Sequence, residues 1–115
     1  LVRSRGLGDV YKRQGEMGSY FLSQKAIDDL SAIWEYTFET WSEHQADSYY
    51  FALVEDCQKL GDKSYLGRNY PEINPDIFGY KSGEHLIFYR KKDQSNIEVI
   101  RILHARMDLK RRILE

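Results

Sequence analysis

The apolar residues of this chain change their spacing once along its length, and that single change restricts the architectures open to it. From Ile27 to Leu60 they recur at steps of three and four, and from Ile77 onward at steps of two. Ile27, Leu30, Trp34, Phe38 and Trp41 form one stripe, with Asp28, Glu35 and Glu39 mainly on other faces. Ala46, Tyr50, Leu53, Cys57 and Leu60 form a second. The spacing predicts an amphipathic helix from a Ser23 N-cap to about Trp41, then another over residues 45–60, with Ser42 as its cap and Gly61-Asp62 as its stop. Two helices joined by so short a link pack as an antiparallel hairpin.

The segments around the hairpin read as strands and turns. Tyr20, Phe21 and Leu22 suit a short strand over residues 19–22, and the glycines, prolines and asparagines of residues 61–75 mark a loop. Strand-like runs follow over residues 77–81, 86–91 and 97–104, joined by Ser82-Gly83-Glu84 and Asp93-Gln94-Ser95-Asn96, which makes an antiparallel meander. Val99, Ile100, Ile102 and Leu103 place apolar side chains on both faces of the last run, as an interior strand requires. Asp108 is the expected cap of a final short helix over residues 109–114, with Lys110, Arg111 and Arg112 as a basic face. The expected class is α+β: an N-terminal strand, an antiparallel helix hairpin on one face of a small antiparallel sheet, and a short C-terminal helix.

Composition narrows the rest. At 115 residues the chain has room for one core but not for a roomy substrate cavity. No run of about 18 apolar residues is present, and the N-terminus lacks a signal-peptide apolar core, so a cytoplasmic protein is expected. Cys57 stands alone, which excludes an intramolecular disulfide and a cysteine-rich zinc site, and it reads as a small core residue. His44, His85 and His104 lack metal-ligand spacing, so neither a metal nor a cofactor is expected. Residues 1–16 show no sustained apolar period and their stretch Leu7-Gly8-Asp9-Val10-Tyr11-Lys12-Arg13-Gln14 resembles translated adapter sequence. They are expected to form a non-native or disordered tail before a single domain over residues 17–115 that starts at Met17.

The net charge of −1 conceals an asymmetry. Residues 1–16 carry 4 Lys or Arg against 2 Asp or Glu, residues 17–80 carry 4 against 11, and residues 81–115 carry 9 against 5. An acidic hairpin thus precedes a basic C-terminal third, a division that points to interaction surfaces.

Several blocks in order carry a resemblance to a known family. They are Tyr20-Phe21-Leu22-Ser23 with Ala26 and Asp29-Leu30, Ile33-Trp34-Glu35-Tyr36-Thr37, Trp41-Ser42-Glu43 with Gln45-Ala46, and Leu66-Gly67-Arg68. His85-Leu86-Ile87-Phe88-Tyr89-Arg90 and Ile100-Arg101-Ile102-Leu103-His104-Ala105-Arg106-Met107-Asp108 complete the series. Over residues 17–114 the chain resembles the ParE branch of the RelE/ParE toxins of type II toxin–antitoxin modules. The resemblance implies a growth-arresting toxin that inhibits DNA gyrase by binding and is neutralised by a ParD-like antitoxin. It also leaves two alternatives: a ribosome-dependent messenger ribonuclease of RelE type, or a degenerate toxin that only binds antitoxin.

Ribonuclease chemistry needs a general base, a general acid and cationic support for the phosphorane on one exposed face. His104, Arg106, Arg68 and Tyr80 are the residues able to serve. His85 stands on the middle strand where such nucleases commonly carry an arginine, and the loop before it lacks their lysine cluster, so a non-enzymatic toxin is the expectation. His104 at a strand end is more often a hydrogen-bonding anchor for the C-terminal segment than a proton shuttle. Trp34, Phe38, Trp41, Glu35 and Tyr50 are the expected antitoxin contacts, an apolar strip with acidic flanks suited to an amphipathic helix bearing Lys or Arg. Arg90, Arg106, Lys110 and Arg111 are the expected target contacts. Direct nucleic-acid binding is not expected, since no aromatic platform interleaves these cations.

Overall fold

A computed structural model describes residues 10–11, 18–107 and 109–114, without the side chains of the first pair. The strands are β1 (Val10–Tyr11), β2 (Ser19–Leu22), β3 (Arg68–Asn69), β4 (Phe78–Ser82), β5 (His85–Lys91) and β6 (Asn96–His104). The helices are α1 (Gln24–Thr40), α2 (Glu43–Asp62) and α3 (Leu109–Leu114). The strands form one sheet in the order β1-β2-β6-β5-β4-β3. As the spacing predicts, β4, β5 and β6 are an antiparallel meander and β2 joins it; that junction, on β6, is parallel and makes the sheet mixed. The expected tail falls largely outside the described residues, as does the expected cap Asp108; within the tail, Val10–Tyr11 pairs antiparallel with β2.

Both hairpin helices start where a serine accepts a hydrogen bond from a first-turn amide. Ser23 Oγ takes the Ala26 N–H and Ser42 Oγ the Gln45 N–H, each at 3.0 Å, which satisfies donors that no helical carbonyl can reach. α2 ends at Asp62, within the expected stop and two residues past the expected Leu60. The helix runs through Gly61 because that residue is buried against β2, where a Cβ would lie 3.0 Å from the Ser19 backbone. The loop expected over residues 61–75 is also more ordered than its composition suggests. It holds a 3-10 turn, Ser64–Leu66, and then β3, which pairs with β4.

Tyr89 organises that loop. Its fully buried hydroxyl donates to the Ser64 carbonyl at 2.6 Å and accepts from the Gly67 N–H at 2.9 Å. A Cβ on Gly67 would sit 2.2 Å from the same oxygen, so Leu66-Gly67-Arg68 is a packing requirement. Gly67→Ala is expected to cost about 1–3 kcal/mol through overpacking, and chemical denaturation of the variant beside the parent chain measures it.

The main core lies between the hairpin and one face of the sheet. Ala26, Ile27 and Leu30 of α1 and Tyr50, Leu53, Cys57 and Leu60 of α2 meet Ile87, Tyr89, Ile97, Val99 and Ile102. The opposite face is covered by a second, smaller cluster in which Leu86, Phe88 and Leu103 pack with Tyr70, Ile73 and the α3 residues Leu109 and Ile113.

One irregularity in β6 decides which residues face the hairpin. Tyr89 lies opposite Val99 but Phe88 lies opposite Arg101, so Ile100 is an extra residue, a β-bulge. Val99 before it and Ile102 after it therefore both face the hairpin, while Ile100 and Leu103 face α3. The bulge is held by α1. Ser23 Oγ donates to the Ile100 carbonyl at 2.7 Å, and Asp29 Oδ2 accepts from the Ile102 N–H at 3.0 Å, beyond the point where β2 ends. Asp29 also receives Arg101 Nε at 2.8 Å and Nη2 at 3.0 Å, and Arg101 Nη1 reaches the Arg112 carbonyl of α3 at 2.8 Å.

Candidate functional site

The apolar stripe of α1 passes from core to surface along its length. Leu30 is buried, Trp34 is half-buried, and Phe38 and Trp41 are 46% and 73% exposed. Trp34 is fixed twice, by Nε1 donating to Asp47 Oδ1 of α2 at 2.9 Å and by stacking on Phe38 at 5.2 Å between centroids. Glu35 is exposed beside this strip. Tyr50 is not available to a partner, because its ring is 6% exposed and packs into the core; its neighbour Phe51, edge-on to it, takes the outward position at 57% exposed. Tyr36, 69% exposed, stands two positions from both Trp34 and Phe38 and so on another face of α1. Neither Phe51 nor Tyr36 lies on an apolar stripe, so periodicity alone does not find them.

Trp41 and Tyr36 also line a groove of about 600 Å³. Its size departs from the expectation that so small a domain has no roomy cavity, because it opens between elements at the surface and does not hollow the core. Ile33 and Tyr36 of α1, Tyr49 of α2, His85 at the start of β5, His104 at the end of β6 and Arg106 just beyond converge on it. Glu84, in the β4–β5 turn, stands there too.

The groove's polar end is a hydrogen-bonded chain. The Glu84 N–H donates to the Tyr49 hydroxyl at 2.9 Å, and that hydroxyl is hydrogen-bonded to His85 Nδ1 at 2.7 Å. His85 and His104 lie directly opposite each other on β5 and β6, their rings edge-to-face at 5.2 Å. His104 Nδ1 accepts from the Arg106 N–H at 3.1 Å, so it does anchor the turn that leads to α3. Burial, reinforced by the neighbouring His104 and opposed by Glu84 and Asp29, pushes His85 down to about 4, and its imidazole is neutral at physiological pH.

This shift makes stability depend on pH with a definite sign. Between about 6.5 and about 4 the unfolded chain binds a proton at His85 that the folded chain refuses, so stability falls as pH is lowered through that window. Allowing for solvent around the ring, the loss is about 1–2 kcal/mol. Urea midpoints at pH 7 and pH 4.5, compared between the parent chain and His85→Asn, are expected to show the larger drop in the parent.

The residues suited to ribonuclease chemistry do not converge. His104 and Arg106 share the groove, and Tyr80 is on the same sheet face, but its hydroxyl is occupied by Lys59 Nζ at 3.1 Å beside α2. Arg68 is on the other face: it lies opposite Gly79, stacks over the Tyr70 ring at 3.9 Å and pairs with Glu72 at 3.3 Å. The expected target residues are likewise divided. Arg90 points to the α3 side and pairs with Glu98 at 3.2 Å, and Lys110 and Arg111 are exposed on α3, whereas Arg106 stands at the groove. Cys57 is fully buried and its thiol is pushed up to about 12 by burial, so it is inert packing. Among the described residues no group of three or more His, Cys, Asp or Glu is placed to hold a metal ion, and no helix is long and apolar enough to cross a membrane.

Comparison with known proteins gives concordant matches. A family model described as the ParE toxin of the type II toxin–antitoxin system parDE matches residues 20–109. The chain is 34% identical over 94 residues to the toxin ParE1 of Mycobacterium tuberculosis, covering 82% of this chain and 96% of that one. It is 30% identical over 92 residues to the toxin ParE1 of Caulobacter vibrioides, covering 80% and 94%. A solved structure titled as the chromosomal ParDE system from P. aeruginosa shares the fold, with a TM-score of 0.66 at 21% identity, over 76% of this chain and 96% of that one.

Proposed function

The chain belongs to the ParE toxin family of type II toxin–antitoxin systems, and from that premise we propose that it arrests growth by binding DNA gyrase, without catalysis, and that a ParD-type antitoxin neutralises it by covering the helix hairpin. The observation that carries the non-enzymatic reading is the placement of Arg68 and His104 on opposite faces of the sheet. Cleavage at a 2′-hydroxyl asks for a base, an acid and cations around one phosphate. Here Arg106 is the one cation beside His104 in the groove among the described residues, and Nδ1 of His104 is engaged by a backbone amide. A binding toxin asks only for complementary surfaces, and the chain has two of opposite charge.

The antitoxin reading draws on the exposed strip of Phe38, Trp41 and Phe51, an apolar surface among Glu35, Glu39 and Glu43 that an amphipathic basic helix would bury. Expression of the chain is expected to stop growth, and co-expression of a ParD-type antitoxin to restore it. In a translation extract the purified chain is expected to leave messenger intact. Messenger cut in the parent and spared by a folded His104→Ala variant would instead establish the ribonuclease.

A further inference from the structure

His85, His104 and Arg106 bring hydrogen-bond donors to the lining of the groove, where Glu84 is the one carboxylate among the described residues. His104 Nδ1 accepts from the Arg106 N–H, which leaves that ring's N–H on Nε2; His85 Nδ1 is bonded to the Tyr49 hydroxyl, and its ring N–H is likewise on Nε2 in the tautomer that accepts the hydroxyl proton. Neither Nε2 has a hydrogen-bond partner among the described residues, and both rings line the groove. A metal ion on His104 Nε2 would need that nitrogen bare, with Nδ1 donating; the bond from the Arg106 N–H is the reverse. Arg106, exposed and lining the same groove, adds the planar donor array of its guanidinium. The rest of the lining, chiefly Ile33, Tyr36, Trp41 and Met107, is apolar. Glu84 is the one carboxylate there and balances Arg106 in charge, which leaves the two imidazole donors unanswered.

We propose that this groove receives an apolar stretch of the ParD-type antitoxin through one carboxylate, an Asp or Glu side chain bonded by His85 Nε2–H, His104 Nε2–H and the Arg106 guanidinium. The proposal rests on the reading that an antitoxin covers the hairpin. Continuity supports that occupant: Trp41 belongs both to the exposed strip of the hairpin and to the groove wall, so a segment lying along the first arrives at the second. Charge supports the anchor. Along the acidic hairpin a carboxylate on the partner is repelled, and the groove end is where it is received. One acidic residue in an otherwise basic and apolar tail would thereby set the register of the whole segment.

The test is calorimetric titration of the full chain with the ParD-type antitoxin encoded beside it, repeated with each tail carboxylate of the antitoxin changed to its amide. Arg106→Gln is expected to weaken binding by about tenfold or more, and one amide-substituted antitoxin is expected to bind the parent chain and the Arg106→Gln variant equally. Glu84→Gln, which removes the competing carboxylate, is expected to tighten binding by roughly twofold to fivefold. Unchanged affinity in Arg106→Gln, or a full Arg106→Gln penalty with every amide-substituted antitoxin, overturns the carboxylate anchor and leaves the hairpin reading standing. Failure of the unmodified antitoxin to bind the parent chain overturns the hairpin reading and this occupant with it.

Discussion

Asp29→Ala is expected to lose about 3–5 kcal/mol of folding free energy. Asp29 and Arg101 have side chains only 14% and 11% exposed, so removing the carboxylate strands a guanidinium out of water. It also orphans the Ile102 N–H, which has no strand partner where β2 has ended. A domain of this size commonly has about 5–15 kcal/mol in total, so the variant sits near the edge of folding. Asp29→Asn keeps an acceptor for the amide and loses the charge, and is expected to fall between parent and Asp29→Ala. Arg101→Lys keeps the charge without the two-pronged geometry and is expected to lose only part of what Asp29→Ala loses. Equilibrium denaturation of the four chains measures this order. A loss below about 1 kcal/mol for Asp29→Ala would mean that the pair does not hold the bulge.

Trp41→Ala is expected to separate binding from stability in the opposite way. At 73% exposed the ring adds little to the folded state, and its truncation is expected to change folding by about 0.5 kcal/mol or less. At an interface it is the type of residue that dominates affinity, and the expected loss of antitoxin binding is about 2 kcal/mol or more, roughly thirtyfold. Phe38→Ala is expected to act in the same direction but to be less clean, since Phe38 stacks on Trp34 and so supports the contact between α1 and α2. Titration with the antitoxin and denaturation of the same preparations give both numbers. Equal affinity of parent and Trp41→Ala would remove the hairpin strip from the interface.

The elements of the fold were legible because their signals are local. Ser23 and Ser42 cap the helices they precede, the stripes from Ile27 and from Ala46 enter the core, and the two polar turns join the strands of the meander. Gly61 itself lies inside the last turn of α2, and its close approach to β2 is a contact across the fold that spacing along the chain does not carry. The groove was illegible for a sharper reason. Extending the pairing of Lys91 with Ile97 evenly along the hairpin would put His85 opposite Leu103 and turn His104 toward α3. The bulge at Ile100 shifts the register by one, brings His104 opposite His85 and carries Arg106 to the groove. What holds that bulge is Ser23 and Asp29, more than seventy positions earlier in the chain. Spacing along β6 alone carries no trace of it, whereas the exposed aromatics Phe38 and Trp41 were visible as the end of a stripe longer than the sheet beneath it.

The central claim is a toxin that acts by engaging gyrase through its surface. Its most direct measurement is a supercoiling reaction containing purified gyrase, relaxed plasmid, ATP and the purified chain, with no ribosomes present, stopped with detergent and protease. The account predicts that supercoiling fails and that linear plasmid accumulates from trapped cleavage complexes. It further predicts that a folded His104→Ala variant does the same, because no proton transfer is involved. Undiminished supercoiling with no linear product at a large molar excess of the chain would contradict it.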